Sequence, residues 1–188
     1  MVAWGLGMKR VKPRDYQLEA FQKLLEHRKC SIVMPTGTGK TYLAIYAIQQ
    51  LGYPKTLIIV PTIPLLHQWR RKLAEYGIPS GTWYGEGKNP AHITVGIYNS
   101  CAKDVSYLSM MNFEFIVYDE IHHAGAEQFA KTLQLSVKAK YALGLTATLK
   151  RADKRHELIV RYIPLRYVMT IGKARQDGWV SDLFQFSF

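Results

Sequence analysis

Met34-Pro-Thr-Gly-Thr-Gly-Lys-Thr41 is the stretch whose reading decides the fold. An apolar run, residues 31–34, leads into it, and an amphipathic run, residues 43–51, follows. Strand, glycine-rich loop and helix in that order make a phosphate cradle. Gly37 and Gly39 permit the sharp turn that points backbone N–H groups inward at an anion. The start of the next helix adds its partial positive charge. Lys40 is placed to reach β- and γ-phosphates, and the Thr41 hydroxyl to bind Mg²⁺. Met34 stands where the motif usually begins with glycine. A chance glycine-rich turn is therefore the competing reading of this stretch alone.

A second motif answers it. Phe115-Ile-Val-Tyr-Asp119-Glu120 reads as a buried strand ending in two carboxylates. In a parallel sheet the C-terminal strand ends converge on one crevice, where ligands bind. Asp119 then faces the Mg²⁺ near Thr41. Glu120 lies one position further, able to polarise a water for attack on the γ-phosphate. A solvated acidic turn is the alternative for this motif by itself.

The remaining composition sets the class. The 188 residues are most simply one domain, with enough chain for a core without staples. A hydrophobic share of 48% and a charged share of 21% are those of a soluble globular protein. No apolar run approaches the ~18 residues of a membrane span, and no secretion signal is read at the N-terminus. An intracellular protein, cytoplasmic or nuclear, is expected. Cys30 and Cys101 are far apart and in no metal-ligand spacing, so buried free thiols are expected. The net charge of +11 suits a polyanion such as nucleic acid. Residues 150–175 carry much of it, in Lys150, Arg151, Lys154, Arg155, Arg161, Arg166, Lys173 and Arg175.

Short apolar runs alternate with helical periods, which argues for an α/β fold with a mainly parallel sheet. Pro13 opens a helix with Leu18, Phe21 and Leu25 inward. Residues 31–34 form the first strand, and Gly52 stops the helix after it. Residues 56–60 are the next strand. Residues 64–76 follow as a helix with Leu65, Trp69, Leu73 and Tyr76 inward. Strands are expected at 82–84 and 93–97 around a glycine-rich loop, 85–90. Residues 115–118 carry the carboxylates, 127–135 read as helix and 141–145 as strand. The last residues, 183–188, alternate like a strand.

In this order the motifs resemble the first RecA-like motor domain of superfamily 2 helicases, in the DExH group. Asp119-Glu120-Ile121-His122 matches the carboxylate box and Thr146-Ala147-Thr148 the third motif. Val60-Pro61-Thr62 with Leu66-His67-Gln68-Trp69 looks like motif Ia, and Arg14-Asp-Tyr-Gln17 like the adenine-reading element. Leu143-Gly-Leu-Thr-Ala-Thr148 and the His122-His123 pair are most similar to XPB-like helicases. Their Arg-Glu-Asp pattern is matched only by Arg151-Ala152-Asp153, with alanine in the middle. The resemblance implies a three-layer RecA-like P-loop fold, with ATP and Mg²⁺ as cofactors.

It also implies roles. Pro35, Thr36, Gly37, Thr38, Gly39, Lys40 and Thr41 hold phosphates, with Arg14 and Gln17 at the base. Thr41 and Asp119 hold Mg²⁺, and Glu120 is the catalytic base. His122, Thr146 and Thr148 couple the site to a partner domain. Zinc and a plain core histidine are the other readings of His122. Zinc lacks partners, because adjacent histidines point differently on a regular backbone. Pro61, Thr62, Gln68, Tyr98, Asn99 and Ser100 face nucleic acid without reading its sequence. Arg70, Arg71 and Lys72 extend that surface or lie solvated. Trp69 is core or stacks on a base.

Residues 1–175 are thus expected to be the motor domain and 176–188 the start of a connection. A second RecA-like domain, which supplies catalytic arginines in such motors, is absent from the sequence. The chain alone is expected to bind Mg·ATP weakly, to hydrolyse it poorly and not to unwind DNA. DNA, as single strand or duplex junction, is the expected partner, with an accessory nuclease or repair or transcription factors besides. The competing functions are a translocase subunit of a restriction or remodelling system, a P-loop kinase, and a non-enzymatic binding module.

Overall fold

The computed structural model describes residues 8–148, 154–169 and 172. An eight-stranded sheet runs through it in the order β4-β3-β5-β2-β6-β7-β1-β8. The strands are β1 (Lys29–Val33), β2 (Thr56–Val60), β3 (Gly81–Tyr84), β4 (Gly87–Asn89), β5 (Ile93–Ile97), β6 (Phe115–Tyr118), β7 (Tyr141–Thr146) and β8 (Leu165–Val168). Every pairing is parallel except β3 with β4.

β2 explains why the sheet is central. Its Thr-Leu-Ile-Ile-Val run is buried at every position, as expected of a parallel strand covered on both faces. Leu57 and Ile59 enter one core, Ile58 and Val60 the other, because successive side chains point to opposite faces. The first core lies under α1 (Asp15–His27), α2 (Lys40–Gln50) and α3 (Ile63–Glu75). The second lies under α4 (Tyr98–Lys103), α5 (Val105–Met110), α6 (Leu135–Lys138) and α7 (Lys154–Tyr162), with 3₁₀ turns at Ile121–Gly125 and Ala130–Gln134. The three-layer α/β architecture agrees with the sequence reading.

Several details differ. α1 buries Tyr16, Gln17, Ala20, Phe21 and Leu24, while Leu18 and Leu25 are exposed. Its inward stripe is rotated by about 100° from the one the leucines suggest, at about 100° per residue, because Ala20 and Gln17 let the helix approach the loop after β1. On α3, Leu66 is fully buried beside Trp69 and Leu73, and Leu65 and Tyr76 pack at the margin. Residues 85–90 are not simply loop: Gly85 at φ 46° turns β3 back into β4. The helix expected at 127–135 is a 3₁₀ turn running into α6. α4, α5, α7 and β8 carried no clear sequence signal. Arg151-Ala152-Asp153 and residues 176–188 lie outside the described residues.

Cys30 and Cys101 are both free and fully buried. Burial pushes the Cys30 thiol up to about 12, and Cys101 higher still. Since the thiolate is the nucleophile, neither is expected to react with iodoacetamide in the native chain at pH 8. Both should alkylate once the chain is unfolded in guanidinium, and intact-mass measurement before and after denaturation checks this. Among the described residues, no helix is long and apolar enough to cross a membrane.

Candidate active site

Strand order builds the site. β7 lies between β6 and β1, so the ends of three neighbouring strands carry the carboxylates, Thr146 and the phosphate loop. Residues Met34 to Gly39 leave β1 and turn into α2 with no intervening structure. Gly37 and Gly39 take φ 83° and 84°, a left-handed conformation that favours glycine. Gly39 is also the N-cap of α2, which places Lys40 and Thr41 in the helix's first turn. Anions are favoured there by free N–H groups and the helix dipole.

The loop is braced from behind by α1. The Tyr16 hydroxyl donates to the Thr38 carbonyl at 2.7 Å, and Gln17 Nε2 donates to the Gly39 carbonyl at 3.0 Å. Gln17 Oε1 accepts from the Arg14 N–H at 2.9 Å. Both ends of the Gln17 amide are therefore engaged within the protein, and Gln17 is buried. A Cβ on Gly39 would come within 2.7 Å of Gln17 Nε2, so this contact requires glycine. Thr38 is buried, and its hydroxyl donates to the Pro35 carbonyl at 2.6 Å. Thr36 and Gly37 are exposed. A cleft of about 860 Å³ opens beside the loop, lined among others by Arg14, Gln17, Gly39, Tyr42 and Tyr76.

Lys40 folds over its own loop. Its Nζ donates to the Met34 carbonyl at 3.1 Å and lies 3.5 Å from that of Pro35. Burial lowers its pKa, while the charges of Glu120 and Asp119 work the other way. Asp119 in turn is raised above the ordinary carboxylate range, chiefly by burial, against the Trp69 hydrogen bond and the Lys40 charge. The lysine and the acidic pair thus share one electrostatic site.

Asp119 is only 8% exposed and densely held. Oδ2 accepts from Trp69 Nε1 at 2.8 Å, and Oδ1 from the Glu120 N–H at 3.0 Å. The Tyr98 hydroxyl donates to its carbonyl at 2.8 Å. Glu120 then takes φ 47° and ψ 59°. A left-handed non-glycine residue costs of order 1 kcal/mol or more, and such outliers cluster at functional sites. The turn sends Ile121 into the core and leaves Glu120 half-exposed. Glu120 Oε2 lies 3.5 Å from both the Thr146 hydroxyl and His122 Nδ1. His122 Nδ1 is 3.4 Å from Thr146 Oγ1, and Thr148 N–H reaches the same oxygen at 3.4 Å. A threonine hydroxyl has one proton to give, so Thr146 can serve Glu120 or the Thr148 carbonyl, 3.3 Å away, but not both. Among the described residues no group of His, Cys, Asp and Glu has the form of a metal cluster.

The residues assigned to nucleic acid divide. Thr62 is exposed, and its Oγ1 accepts from the Leu65 N–H at 3.4 Å as the N-cap of α3. Pro61 is half-buried, and Gln68 and Asn99 are exposed. Tyr98 is fully buried, and Ser100 is buried with its Oγ accepting from the Gly85 N–H at 3.2 Å. Neither side chain lies on the surface, because α4 begins at once after β5 and rolls both inward. Arg70 donates to the Ser80 carbonyl, and Lys72 bonds to Tyr42 and Glu75. Trp69 is 2% exposed, so base stacking is excluded in this conformation. The sequence had assigned it no role toward Asp119. The one available signal was that a buried indole N–H usually needs an acceptor.

The chain is similar to known proteins in sequence and fold. Residues 10–151 match the family described as the Type III restriction enzyme, res subunit. The DNA 3'-5' translocase XPB2 of Sulfurisphaera tokodaii is 37% identical over 150 residues, covering 79% of this chain and 34% of the relative. The DNA 3'-5' helicase XPB of Mycobacterium tuberculosis is 31% identical over 180 residues, covering 89% and 32%. The crystal structure of the Pyrococcus furiosus Hef helicase domain superposes with a TM-score of 0.68 at 25% identity, covering 83% of this chain and 37% of that one. The chain spans about a third of the length of these relatives. The fold, the strand-end motifs and these matches lead to one assignment: the chain belongs to the family of the Type III restriction enzyme res subunit, and within it is similar to XPB helicases and translocases.

Proposed function

We propose that this chain binds Mg·ATP at the loop after β1 and DNA along the C-terminal edge of the sheet. It serves as the first motor domain of an ATP-driven DNA helicase or translocase. The observation that carries this reading is the adjacency of β6, β7 and β1, which gathers Lys40, Asp119, Glu120 and Thr146 at one edge. The use of DNA rests on what the relatives are called.

The residues fit the magnesium ion that the reading requires. Mg²⁺ takes oxygen donors and keeps several waters. Asp119 offers an oxygen pair that is bonded only by neutral donors, and Thr41 offers a hydroxyl from the first turn of α2. These two would hold it. When bound, the ion would neutralise the charge of the phosphates. Backbone N–H groups of residues 36–41 bind and orient the phosphates, with Lys40 swinging from the Met34 carbonyl onto them. Glu120 holds the proton of the attacking water at a carboxylate oxygen. Thr146 and His122 keep that carboxylate aimed. Thr148 is exposed, at the edge where a second RecA-like domain would close and supply arginines. Pro61, Thr62, Gln68 and Asn99 carry the nucleic acid by backbone contacts.

A translocase that moves without opening strands stands beside the helicase reading, favoured by the family's restriction-subunit description and by the XPB2 translocase. The test common to both is fluorescence titration with an ATP analogue, in Mg²⁺ and in EDTA, alongside anisotropy with single-stranded DNA. Nucleotide binding should be tighter in Mg²⁺. DNA affinity should fall steeply with salt, with a log–log slope of about −0.7 per phosphate contact. No nucleotide binding, or a flat salt response, overturns the corresponding half of the proposal.

A further inference from the structure

Asp119 is gripped from both layers of the fold at once. Trp69 comes from the α1–α3 layer and donates its indole N–H to Oδ2 at 2.8 Å. Tyr98 comes from the opposite layer and donates its hydroxyl to the Asp119 carbonyl at 2.8 Å. Both aromatic residues are buried, at 2% and 0% exposure. Each also belongs to a helix with an exposed residue at or beside its start. Thr62 caps α3, and Asn99 sits beside Tyr98 at the start of α4. Two surface segments are therefore tied through short buried bonds to one carboxylate residue.

The chemistry of the tether matters. A buried carboxylate is usually paired with a cation, yet a lysine or arginine at Oδ2 would compete with a divalent ion for the same charge. An indole N–H fixes the oxygen and leaves the charge in place. With Glu120 N–H on Oδ1, both oxygens are fixed and the carboxylate plane is set. Tyr98 fixes the backbone beneath it.

We propose that Trp69 and Tyr98 are positioning residues that aim Asp119 and transmit nucleic-acid contact at Thr62 and Asn99 to the affinity for Mg-nucleotide. This rests on the function proposed above. A shift of α3 or α4 on DNA binding moves Asp119 through these bonds. By linkage, Mg-nucleotide changes DNA affinity by the same factor.

The test uses Trp69→Phe and Tyr98→Phe, which keep an aromatic ring and remove the donor, the tryptophan change also deleting buried ring volume. ATP-analogue affinity is measured in Mg²⁺ and in EDTA, with and without saturating single-stranded DNA, alongside a thermal melt. Removing the partner of a metal ligand typically costs ~10–100-fold in metal affinity. Trp69→Phe is therefore expected to weaken binding in Mg²⁺ about tenfold, to leave binding in EDTA within about twofold, and to shrink the DNA-induced shift. Tyr98→Phe should act in the same direction more weakly, because it holds the backbone only, and it decides the matter if the Trp69 variant melts below the assay temperature. Unchanged Mg²⁺ binding and DNA response overturn the proposal. An equal loss in Mg²⁺ and EDTA also overturns it, since that is the mark of a general packing role. If the wild-type chain shows no Mg²⁺-dependent binding, the functional reading itself falls and takes this inference with it.

Discussion

Lys40→Ala is expected to weaken ATP-analogue binding about 100-fold while DNA affinity stays within about twofold. Truncating one partner of a close charge pair in a desolvated site costs ~2–5 kcal/mol. About 3 kcal/mol corresponds to two decades in Kd. The structure argues for an effect of at least that size, because the lysine is half-buried at the neck of the loop and no other lysine or arginine shares its bonds to Met34 and Pro35 among the described residues. DNA affinity is spared because Thr62, Gln68 and Asn99 lie on other elements. The variant should also fold. Burial lowers the Lys40 pKa, so the charged side chain costs the native state stability, and this cost is relieved as pH rises past the folded pKa. Alanine removes the cost at neutral pH and leaves the Met34 carbonyl short of a donor, two small effects of opposite sign. A melting temperature within about 3 °C of wild type is expected, from ~2–4 °C per kcal/mol at this size. Wild-type nucleotide affinity in a folded Lys40→Ala chain would remove the phosphate loop from the nucleotide site.

How much of this was legible in the sequence follows from the range of each interaction. The run 56–60 announced itself as a buried parallel strand because both of its faces are apolar, and the structure returns the same bounds. Lys40 and Asp119 could be expected to meet because strand-end convergence is a rule of parallel sheets, independent of side-chain detail. α1 shows where periodicity fails. Leu18 and Leu25 looked like core, but the approach to the phosphate loop turned Gln17 and Ala20 inward instead. Tyr98 and Ser100 looked like surface because they follow a strand end. Only the immediate start of α4 buries them, and a six-residue helix has too little period to be seen. The bond from Trp69 to Asp119 spans 50 positions in sequence. It depends on how α3 lies over β5 and β2, beside β6, which no local pattern records. α7 and β8 are hidden for a similar reason, since β8 is half-exposed along its length and carries four residues.

Gly144 is where the carboxylate box meets the core, and Gly144→Ala should destabilise the chain by about 2 kcal/mol. A Cβ there would lie 2.3 Å from Ile121 Cδ1, 2.8 Å from Ser31 Oγ and 3.3 Å from Ile121 Cβ. Overpacking a tight core typically costs ~1–3 kcal/mol, and a loss of about 2 kcal/mol lowers the melting temperature by roughly 4–8 °C at this size. β7 cannot yield easily, because it is paired on both sides, to β6 and β1. Ile121 must move instead. It follows Glu120 directly, so its displacement strains a turn that already holds φ 47°. Mg²⁺-dependent nucleotide binding should therefore weaken along with stability. The pairing can be tested by relief. Ile121→Val deletes the Cδ1 atom that clashes and alone costs ~0.5–1.5 kcal/mol. If the clash is the cause, Gly144→Ala with Ile121→Val is less destabilised than the two single losses added, a non-additivity of the size contacting residues show. Thermal melts of the four proteins decide it. Strict additivity would mean that Ser31, on the neighbouring strand, gives way rather than Ile121, and that the acidic turn is anchored by its own hydrogen bonds.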